Sequence, residues 1–329
     1  MCGFGRLDCG LMGEKMENKD SRFVRIIKEI CMEEEIALTF YADCWVMELK
    51  KNGITGHIFG YQFGLNSSVS QQISNDKSCA YEILADHGIE AVKHVCFMTP
   101  EQMKYVGSNG CFLELTDLLK QWGELVVKDN EGTGGMEVYR AANRVELEHI
   151  AVNLLPRVRS IAVSPFIDIE EEYRVILLDG KVRMIFSKER KSVEGDGSSN
   201  VGQLFANAVG KNILDPTGIT LNKASADFVP AAGEIYYLSW KHNLGQGAKA
   251  IERTEEMIGV LEPIAVAAAD VLGLRFASVD IIKEKGTGKL SVLEVNSGVM
   301  CENLAGSSHG LYLQVKEIYR DAICRMLEK

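Results

Sequence analysis

The apolar positions of this chain follow two periods, one typical of β-strands and one typical of helices. Strand-like runs lie at 35–42, 54–60, 92–98, 124–130, 136–141, 160–167, 233–240, 275–282 and 289–296. Helical segments lie between or after them, at 75–88, 115–123, 143–155, 257–272 and 311–327. The order of these segments predicts an α/β (α+β) chain.

Turn and cap residues predict where several of these elements begin and end. Asp179-Gly180, between two apolar runs, predicts a tight hairpin. Asn75 is a predicted helix N-cap, and Gly88 a predicted helix end. The segment KGTGK (285–289) joins the last two strands, so we expect these to pair antiparallel within a mixed sheet.

Composition narrows the class of protein. The 329 residues are 46% hydrophobic and 25% charged, as expected of a globular chain with a sizeable core. The net charge of -10 argues against a nucleic-acid partner, which would require clustered cations. Nine cysteines without CxxC spacing indicate reduced thiols, so we expect a cytoplasmic protein. The longest apolar stretch, 257–274, contains Glu262, Pro263 and Asp270, which predicts a buried helix and no membrane span.

The first candidate chemistry lies in SVLEVNSG (291–298). This strand carries Glu294 and Asn296, which are two residues apart and therefore point to the same face. Asp280 lies on the strand that pairs with it, and a suitable register places all three on one face. Ligands that offer only oxygen suit Mg²⁺ or Mn²⁺. Glu294 alone would be better explained as a strand end facing solvent, whereas the trio favours a metal site.

The second candidate is a glycine-rich loop. Lys128 ends an apolar strand directly before EGTGG (131–135). Glycines allow backbone N–H groups to approach phosphate oxygens, and the lysine adds a positive charge. An ordinary hairpin tip explains the pattern equally well. Lys77, at a predicted helix start, is by itself an ordinary surface lysine.

Three further segments carry polar candidate residues. Glu172 and Arg174 lie two apart at the start of a strand and share a face. Arg190 lies near the end of the predicted hairpin, and HNLGQGA (242–248) is a polar, glycine-rich turn. A solvated charge or a plain loop explains each of these positions when it is taken alone.

Together these motifs resemble the ATP-grasp superfamily, and their order along the chain is the same. GDG at 195–197 and NLGQG at 243–247 are similar to motifs of cyanophycin synthetase and of glutathione-type ligases. The resemblance extends from about residue 62 to about residue 304. Ser164 departs from it, because many members have Glu or Gln there; its backbone is still able to bind adenine. The resemblance implies an N-terminal domain at 1–75, a central and lid subdomain at 76–167 and a catalytic subdomain at 168–329.

The resemblance also implies a role for each candidate residue. Phosphates of ATP would be contacted by Lys77, Lys128 and the loop residues Gly132, Thr133, Gly134 and Gly135. The adenine would lie against Ser164, Phe166 and Ile167, and the ribose against Glu172. Mg²⁺ or Mn²⁺ would be held by Asp280, Glu294 and Asn296. The transferred phosphoryl group would be held by Arg190 and Asn243, with Arg174 in support.

The expected activity is ATP-dependent ligation of a carboxylate to an amine through an acylphosphate, with release of ADP and phosphate. The expected substrates are amino acids or small peptides; no nucleic acid or membrane is expected, and homo-oligomerisation is left open. One alternative is a kinase on the same fold that phosphorylates a small molecule. Another is a nucleotide-binding regulatory protein that has lost catalysis.

Overall fold

The computed structural model describes residues 20–106, 112–209, 223–242 and 249–328. Contacts divide the chain into two units, Met1–Gly64 with Met300–Lys329, and Leu65–Val299. The division predicted from sequence, at 75 and 167, differs from these bounds. It remains a prediction for the subdomains within the larger unit.

The first unit pairs a four-stranded antiparallel sheet with helices from both ends of the chain. Its elements are α1 (Arg22–Glu33), β1 (Ala37–Tyr41), β2 (Val46–Lys51), β3 (Ile54–Phe59), β4 (Gln62–Phe63), α10 (Glu302–Ala305) and α11 (His309–Met326). The ring of Phe63 stacks on that of Tyr319 with centroids 5.7 Å apart. Lys316 Nζ binds Glu29 at 2.8 Å and Glu33 at 2.7 Å, which ties α11 to α1.

The second unit contains the remaining elements. Its helices are α2 (Ser68–Asn75), α3 (Lys77–Asp86), α4 (Pro100–Val106), α5 (Phe112–Trp122), α6 (Arg144–Leu154), α7 (Val201–Val209), α8 (Lys223–Asp227) and α9 (Thr254–Val271). Its strands are β5 (Val95–Met98), β6 (Leu125–Asp129), β7 (Val138–Ala141), β8 (Ser160–Pro165), β9 (Ile169–Leu178), β10 (Lys181–Glu189), β11 (Ser192–Glu194), β12 (Ile235–Tyr237), β13 (Lys249–Glu252), β14 (Phe276–Glu284) and β15 (Leu290–Asn296). No helix in the described ranges is long and apolar enough to cross a lipid bilayer.

A four-stranded sheet in this unit has the order β5-β8-β6-β7. Leu125 and Val127 point to one face, where they pack with α5 and α6 in a buried apolar cluster. Because side chains alternate along a strand, Lys128 points to the other face. Ser164, whose register partner is Val126, shares that face with Lys128.

A five-stranded sheet has the order β13-β10-β9-β14-β15. Its β9–β10 hairpin turns at Asp179 and Gly180, whose φ angles of 49° and 70° suit the tight turn predicted there. One face is apolar: Val175, Val279 and Val295 pack in the core cluster that also contains residues of α3 and α9. The alternating positions form a polar face, which carries the candidate site.

The structure corrects several predicted details. The N-cap of α3 is Asp76, whose side chain accepts a hydrogen bond from Cys79 N, and Asn75 instead ends α2. The 233–240 run forms only the short strand β12, which pairs with β11 and not with the main sheet. All four strand pairs of the predicted mixed sheet are antiparallel, and a parallel neighbour is present as one bridge between Ala91 and Val292.

Candidate active site

The register of the five-stranded sheet brings the predicted metal donors together. Asp280 on β14 pairs directly with Glu294 on β15, and Ser278 pairs with Asn296. Positions that pair across neighbouring strands share a face, as do positions two apart. Asp280, Glu294 and Asn296 therefore lie on one face, as the sequence predicted. Arg174 on β9 is the other register partner of Asp280 and lies on the same face.

Arg174 and Asp280 form a bidentate ion pair in a buried position. Arg174 Nε donates to Oδ1 at 2.7 Å and Nη2 to Oδ2 at 2.7 Å. Burial by itself raises the pKa of Asp280, but Arg174 and Lys188 outweigh it and lower that pKa to about 2. Burial likewise lowers the pKa of Arg174, and Asp280 reverses the effect, so the net direction is upward. Both groups are therefore charged at neutral pH.

Lys188 on β10 completes this cluster and was not predicted from the sequence. Its Nζ lies 2.6 Å from Oε1 of Glu172 and 2.8 Å from Oδ2 of Asp280. All three side chains are less than 9% exposed. The carboxylate predicted to meet ribose and the one predicted to meet metal are thus joined by a single ammonium.

Lys77 connects the start of α3 to the glycine-rich loop and to β15. Its Nζ donates to the carbonyl oxygens of Asn130, at 3.3 Å, and Gly132, at 2.5 Å. The same Nζ lies 3.7 Å from Oε1 of Glu294. At 7% exposure Lys77 is buried, so the surface-lysine interpretation is wrong.

Asn130 fixes the position of this loop, and sequence reasoning also missed it. Its fully buried side chain accepts hydrogen bonds from Ser78 N at 3.1 Å and Ser78 Oγ at 3.0 Å. Its Nδ2 donates to Ser160 Oγ at 3.3 Å. The signal that could have identified it is an asparagine directly after an apolar strand. If such a side chain is buried, its amide requires hydrogen-bond partners.

Lys128 is buried, and its ammonium makes no ion pair with a carboxylate of the described residues. It is 7% exposed, and no hydrogen bond or ion pair of its ammonium occurs in the described part of the chain. Burial lowers its pKa to about 8; Glu294 and Glu172 raise that pKa, and Lys77 lowers it. Such an ammonium would gain from an anionic ligand.

The loop after β6 has the backbone of a tight turn. Gly134 and Gly135 both have φ of 68°, in the left-handed region that favours glycine. Met136 N donates to Thr133 O, and a Cβ at Gly132 would lie 2.8 Å from Asp129 Cβ. Three of the four predicted loop residues thus require glycine. The geometry agrees with a hairpin tip and with a phosphate loop alike.

The predicted adenine hinge lies at the end of β8 and in the two residues that follow it. Ser164 lies within the strand and is 3% exposed, and Phe166 N donates to Glu124 O at 2.9 Å. The Arg140 guanidinium lies 3.7 Å from the centroid of the Phe166 ring, and the Trp240 ring meets it edge-on at 5.7 Å. Ile167, next along the chain, is half-buried.

Arg190 and Asn243 are the two remaining residues that the sequence analysis predicted for the site. The Arg190 guanidinium lies 3.9 Å above the ring of Tyr237, just past the end of β10. In the described residues no hydrogen bond or ion pair joins Arg190 to Asp280. Burial lowers the pKa of His242, and the charge of Arg190 lowers it further. His242 Nδ1 lies 2.8 Å from Lys188 O. Asn243 lies outside the described residues.

The donor set fits a hard divalent cation. Within the described ranges Asp280 Oδ1 accepts one hydrogen bond, from Arg174 Nε, so it retains a lone pair. Glu294 is 26% exposed and open to a ligand. Among the described residues Asn296 Nδ2 is buried without a partner, as is Ser278 Oγ beside it. No group of three His, Cys, Asp or Glu side chains suited to a metal occurs in these ranges, so other oxygen donors would have to complete the coordination.

His94 is a further buried group that sequence reasoning missed. It is 2% exposed, and its Nε2 is buried without a partner in the described residues. Burial, with Lys128 and Lys77 nearby, lowers its pKa well below the usual range. His94 is therefore neutral, and it lines a small cavity with Lys77 and Glu294.

Comparisons with known proteins agree with the predicted resemblance. The chain is 27% identical over 250 residues to the glutathione biosynthesis bifunctional protein GshAB of Listeria innocua, which covers 69% of this chain and 31% of that protein. It is 25% identical over 224 residues to the cyanophycin synthetase of Geminocystis herdmanii, covering 60% of this chain and 26% of that protein. The chain thus spans a third or less of the length of these curated relatives. No model of a protein family matches it.

Solved structures agree at the level of the fold. A bifunctional glutathione synthetase from Pasteurella multocida has a TM-score of 0.56 at 16% identity, over 91% of this chain and 44% of that one. A D-alanine–D-alanine ligase from Bacillus anthracis has a TM-score of 0.50 at 17% identity, over 79% and 71%. The chain has the ATP-grasp fold, and its resemblance to ATP-grasp carboxylate–amine ligases is confirmed.

Proposed function

We propose that this protein is an ATP-dependent carboxylate–amine ligase that forms an amide bond through an acylphosphate. The observation that carries the proposal is the 3.7 Å approach of Lys77 Nζ to Glu294 Oε1. It brings a buried lysine and the glycine-rich loop to the strand that carries Glu294 and Asn296. In the proposal, cations for a polyphosphate and oxygen donors for its metal therefore meet at one place.

The charges of the site suit a metal–polyphosphate ligand. Four cationic side chains face three carboxylates, which leaves an excess of one positive charge when Lys128 is protonated. The residues are Lys77, Lys128, Arg174 and Lys188 against Glu172, Asp280 and Glu294. In the proposal Lys77, Lys128 and the loop at 132–135 contact the phosphates. Ser164, Phe166 and Ile167 border the adenine, and Glu172 meets the ribose.

Asp280, Glu294 and Asn296 would hold Mg²⁺ or Mn²⁺, which would neutralise charge on the phosphates when bound. Arg174 orients Asp280 through its two hydrogen bonds, so in the proposal it supports phosphoryl transfer as a positioning residue. Arg190 and Asn243 remain the candidates for holding the transferred phosphoryl group. For Arg190, the contact with Tyr237 would have to be shared or released.

The reaction follows from these positions. A substrate carboxylate oxygen attacks the γ-phosphorus of ATP, and the bond to ADP breaks. The amine then attacks the carbonyl carbon of the acylphosphate, loses a proton, and phosphate leaves. The chain's contribution is to position the reactants, stabilise charge and exclude water. Because the named relatives include glutathione and cyanophycin enzymes, amino acids or small peptides are the proposed substrates.

Turnover with pooled substrates tests the proposal. The protein is incubated with ATP, Mg²⁺, amino acids and dipeptides, and ADP, free phosphate and new masses are followed. A ligase releases ADP and phosphate together and gives a product one water lighter than the two reactants combined. ADP with a phosphorylated product and no free phosphate would identify a kinase. Binding of ATP without turnover in any pool would favour the regulatory alternative. Cytoplasmic location and oligomeric state remain predictions.

A further inference from the structure

Lys188 holds two buried carboxylates that have separate proposed roles. Its Nζ lies 2.6 Å from Glu172 Oε1 and 2.8 Å from Asp280 Oδ2. Each of the three side chains is less than 9% exposed, so water does little to screen these charges. Buried carboxylates require cations, and these two carboxylates share this single ammonium.

The two cations on Asp280 are held with different strength. Arg174 makes two parallel hydrogen bonds, one to each oxygen, a geometry that fixes the pair. Lys188 makes a single contact with Oδ2 and keeps Glu172 as a second partner. A lysine ammonium is a compact charge on a flexible stem, so it can leave one oxygen without leaving the cluster.

We propose that Lys188 is an internal counter-ion that competes with a divalent cation for Asp280 in the nucleotide-free protein. This inference rests on the metal assignment in the proposed function. Lys188 keeps Glu172 and Asp280 neutralised while the site lacks nucleotide. It thereby weakens metal binding until polyphosphate oxygens are present to supply further donors and to accept the displaced ammonium.

Removal of Lys188 changes the charge balance in a measurable way. Glu172, Asp280, Arg174 and Lys188 sum to zero, so Lys188→Gln leaves one negative charge. A divalent cation can neutralise this negative charge. We therefore expect the variant to bind Mn²⁺ without nucleotide at least about tenfold more tightly than the wild type. A lysine with a purely structural role would give a loss of stability and no gain in metal affinity.

The first unit offers a matched control. Lys316 is also buried and bridges Glu29 and Glu33 at 2.8 and 2.7 Å. Lys316→Gln removes ion pairs of similar length in the unit that does not contain the site residues, although Glu29 and Glu33 are more exposed than Glu172 and Asp280. It is expected to leave Mn²⁺ affinity unchanged. Lys188→Arg, which keeps the charge, should behave as the wild type or bind metal more weakly.

Mn²⁺ binding is measured by electron paramagnetic resonance on the full chain, with and without a non-hydrolysable ATP analogue. Thermal unfolding in Mn²⁺ provides the second readout: the midpoint of Lys188→Gln should rise more than that of wild type or of Lys316→Gln. Equal Mn²⁺ affinity of Lys188→Gln and wild type, or no folding of that variant even in Mn²⁺, overturns the inference. Failure of the wild type to bind Mn²⁺ even with the nucleotide analogue would instead overturn the metal assignment itself.

Discussion

Lys77 Nζ lies 3.7 Å from Oε1 of Glu294, and this pair joins the first residue of α3 to β15, the strand that carries two of the proposed metal donors. The two residues are 217 positions apart in sequence by their numbering, 77 and 294. The same lysine donates hydrogen bonds to two loop carbonyls. A ligand at Glu294 that moved Lys77 would therefore also change the contacts of the glycine-rich loop.

Glu294→Ala is expected to abolish turnover while preserving the fold. The side chain is 26% exposed, so its loss should change the free energy of unfolding by only about 1 kcal/mol. Removal of a metal donor should lower kcat/KM by about 100-fold or more. Steady-state kinetics and denaturant unfolding measure both. Glu170→Ala, at an exposed ion pair with Lys283, is the control, and near-normal activity of Glu294→Ala would refute the assignment.

Lys128→Met should stabilise the nucleotide-free protein at pH 7. The pKa of Lys128 falls from 10.5 to about 8 on folding, because burial penalises the charged form. Its loss should therefore raise the free energy of unfolding by about 1 to 3 kcal/mol. Between pH 8 and 10.5 the unfolded lysine holds a proton that the folded one has lost, so wild-type stability rises with pH.

Urea unfolding at several pH values checks this prediction. The stability of Lys128→Met should lack the part of the rise between pH 8 and 10.5 that the lysine contributes. The control Lys181→Met, at an exposed position, should have a free energy of unfolding within about 0.5 kcal/mol of wild type. A Lys128→Met protein that is less stable than wild type at pH 7 would show that the ammonium has a favourable partner.

Nucleotide binding at alkaline pH should take up a proton. At pH 9 Lys128 is mostly neutral, since its pKa is about 8, and phosphate charge beside it would raise that pKa. Calorimetric titrations with an ATP analogue in two buffers of different ionisation enthalpy should reveal uptake approaching about one proton. The same titrations of Lys128→Met should show weaker binding and less uptake. Equal uptake in both proteins would place the phosphates elsewhere.

Arg174→Ala should strongly destabilise the fold. It leaves Asp280 buried without its bidentate partner, which typically costs about 3 to 5 kcal/mol. Arg275→Ala removes a similar Arg–Asp pair with Asp179, but there the side chains are 50% and 33% exposed. That variant should lose about 1 kcal/mol or less. Comparable losses in the two variants would mean that burial is not what makes the Arg174 pair important.

The sequence was sufficient to predict what depends on period and local turns. The two-residue alternation of β15 placed Glu294 and Asn296 on one face, and pairing with β14 added Asp280. Asp179 and Gly180 turn the hairpin as predicted, because few residues suit their φ angles. The roles of these residues in binding ATP and metal stay predictions.

The sequence could not predict contacts that depend on long-range register. Lys188 lies in the run KERK, which is typical of a solvated surface, yet register with β9 places it between Glu172 and Asp280. His94 was likewise passed over as part of an ordinary strand. β12 pairs with β11 in a separate two-stranded sheet. The local pattern of residues does not indicate which strand β12 pairs with.

The most direct test of the central claim follows oxygen from substrate to phosphate. The protein is incubated with ATP, Mg²⁺ and a pool of amino acids and dipeptides whose carboxylates carry ¹⁸O, and the released phosphate is analysed by mass. Attack of a carboxylate on the γ-phosphorus predicts one labelled oxygen in each phosphate, and loss of this label in Glu294→Ala. Release of unlabelled phosphate, or a phosphorylated product without free phosphate, would contradict the proposed ligase.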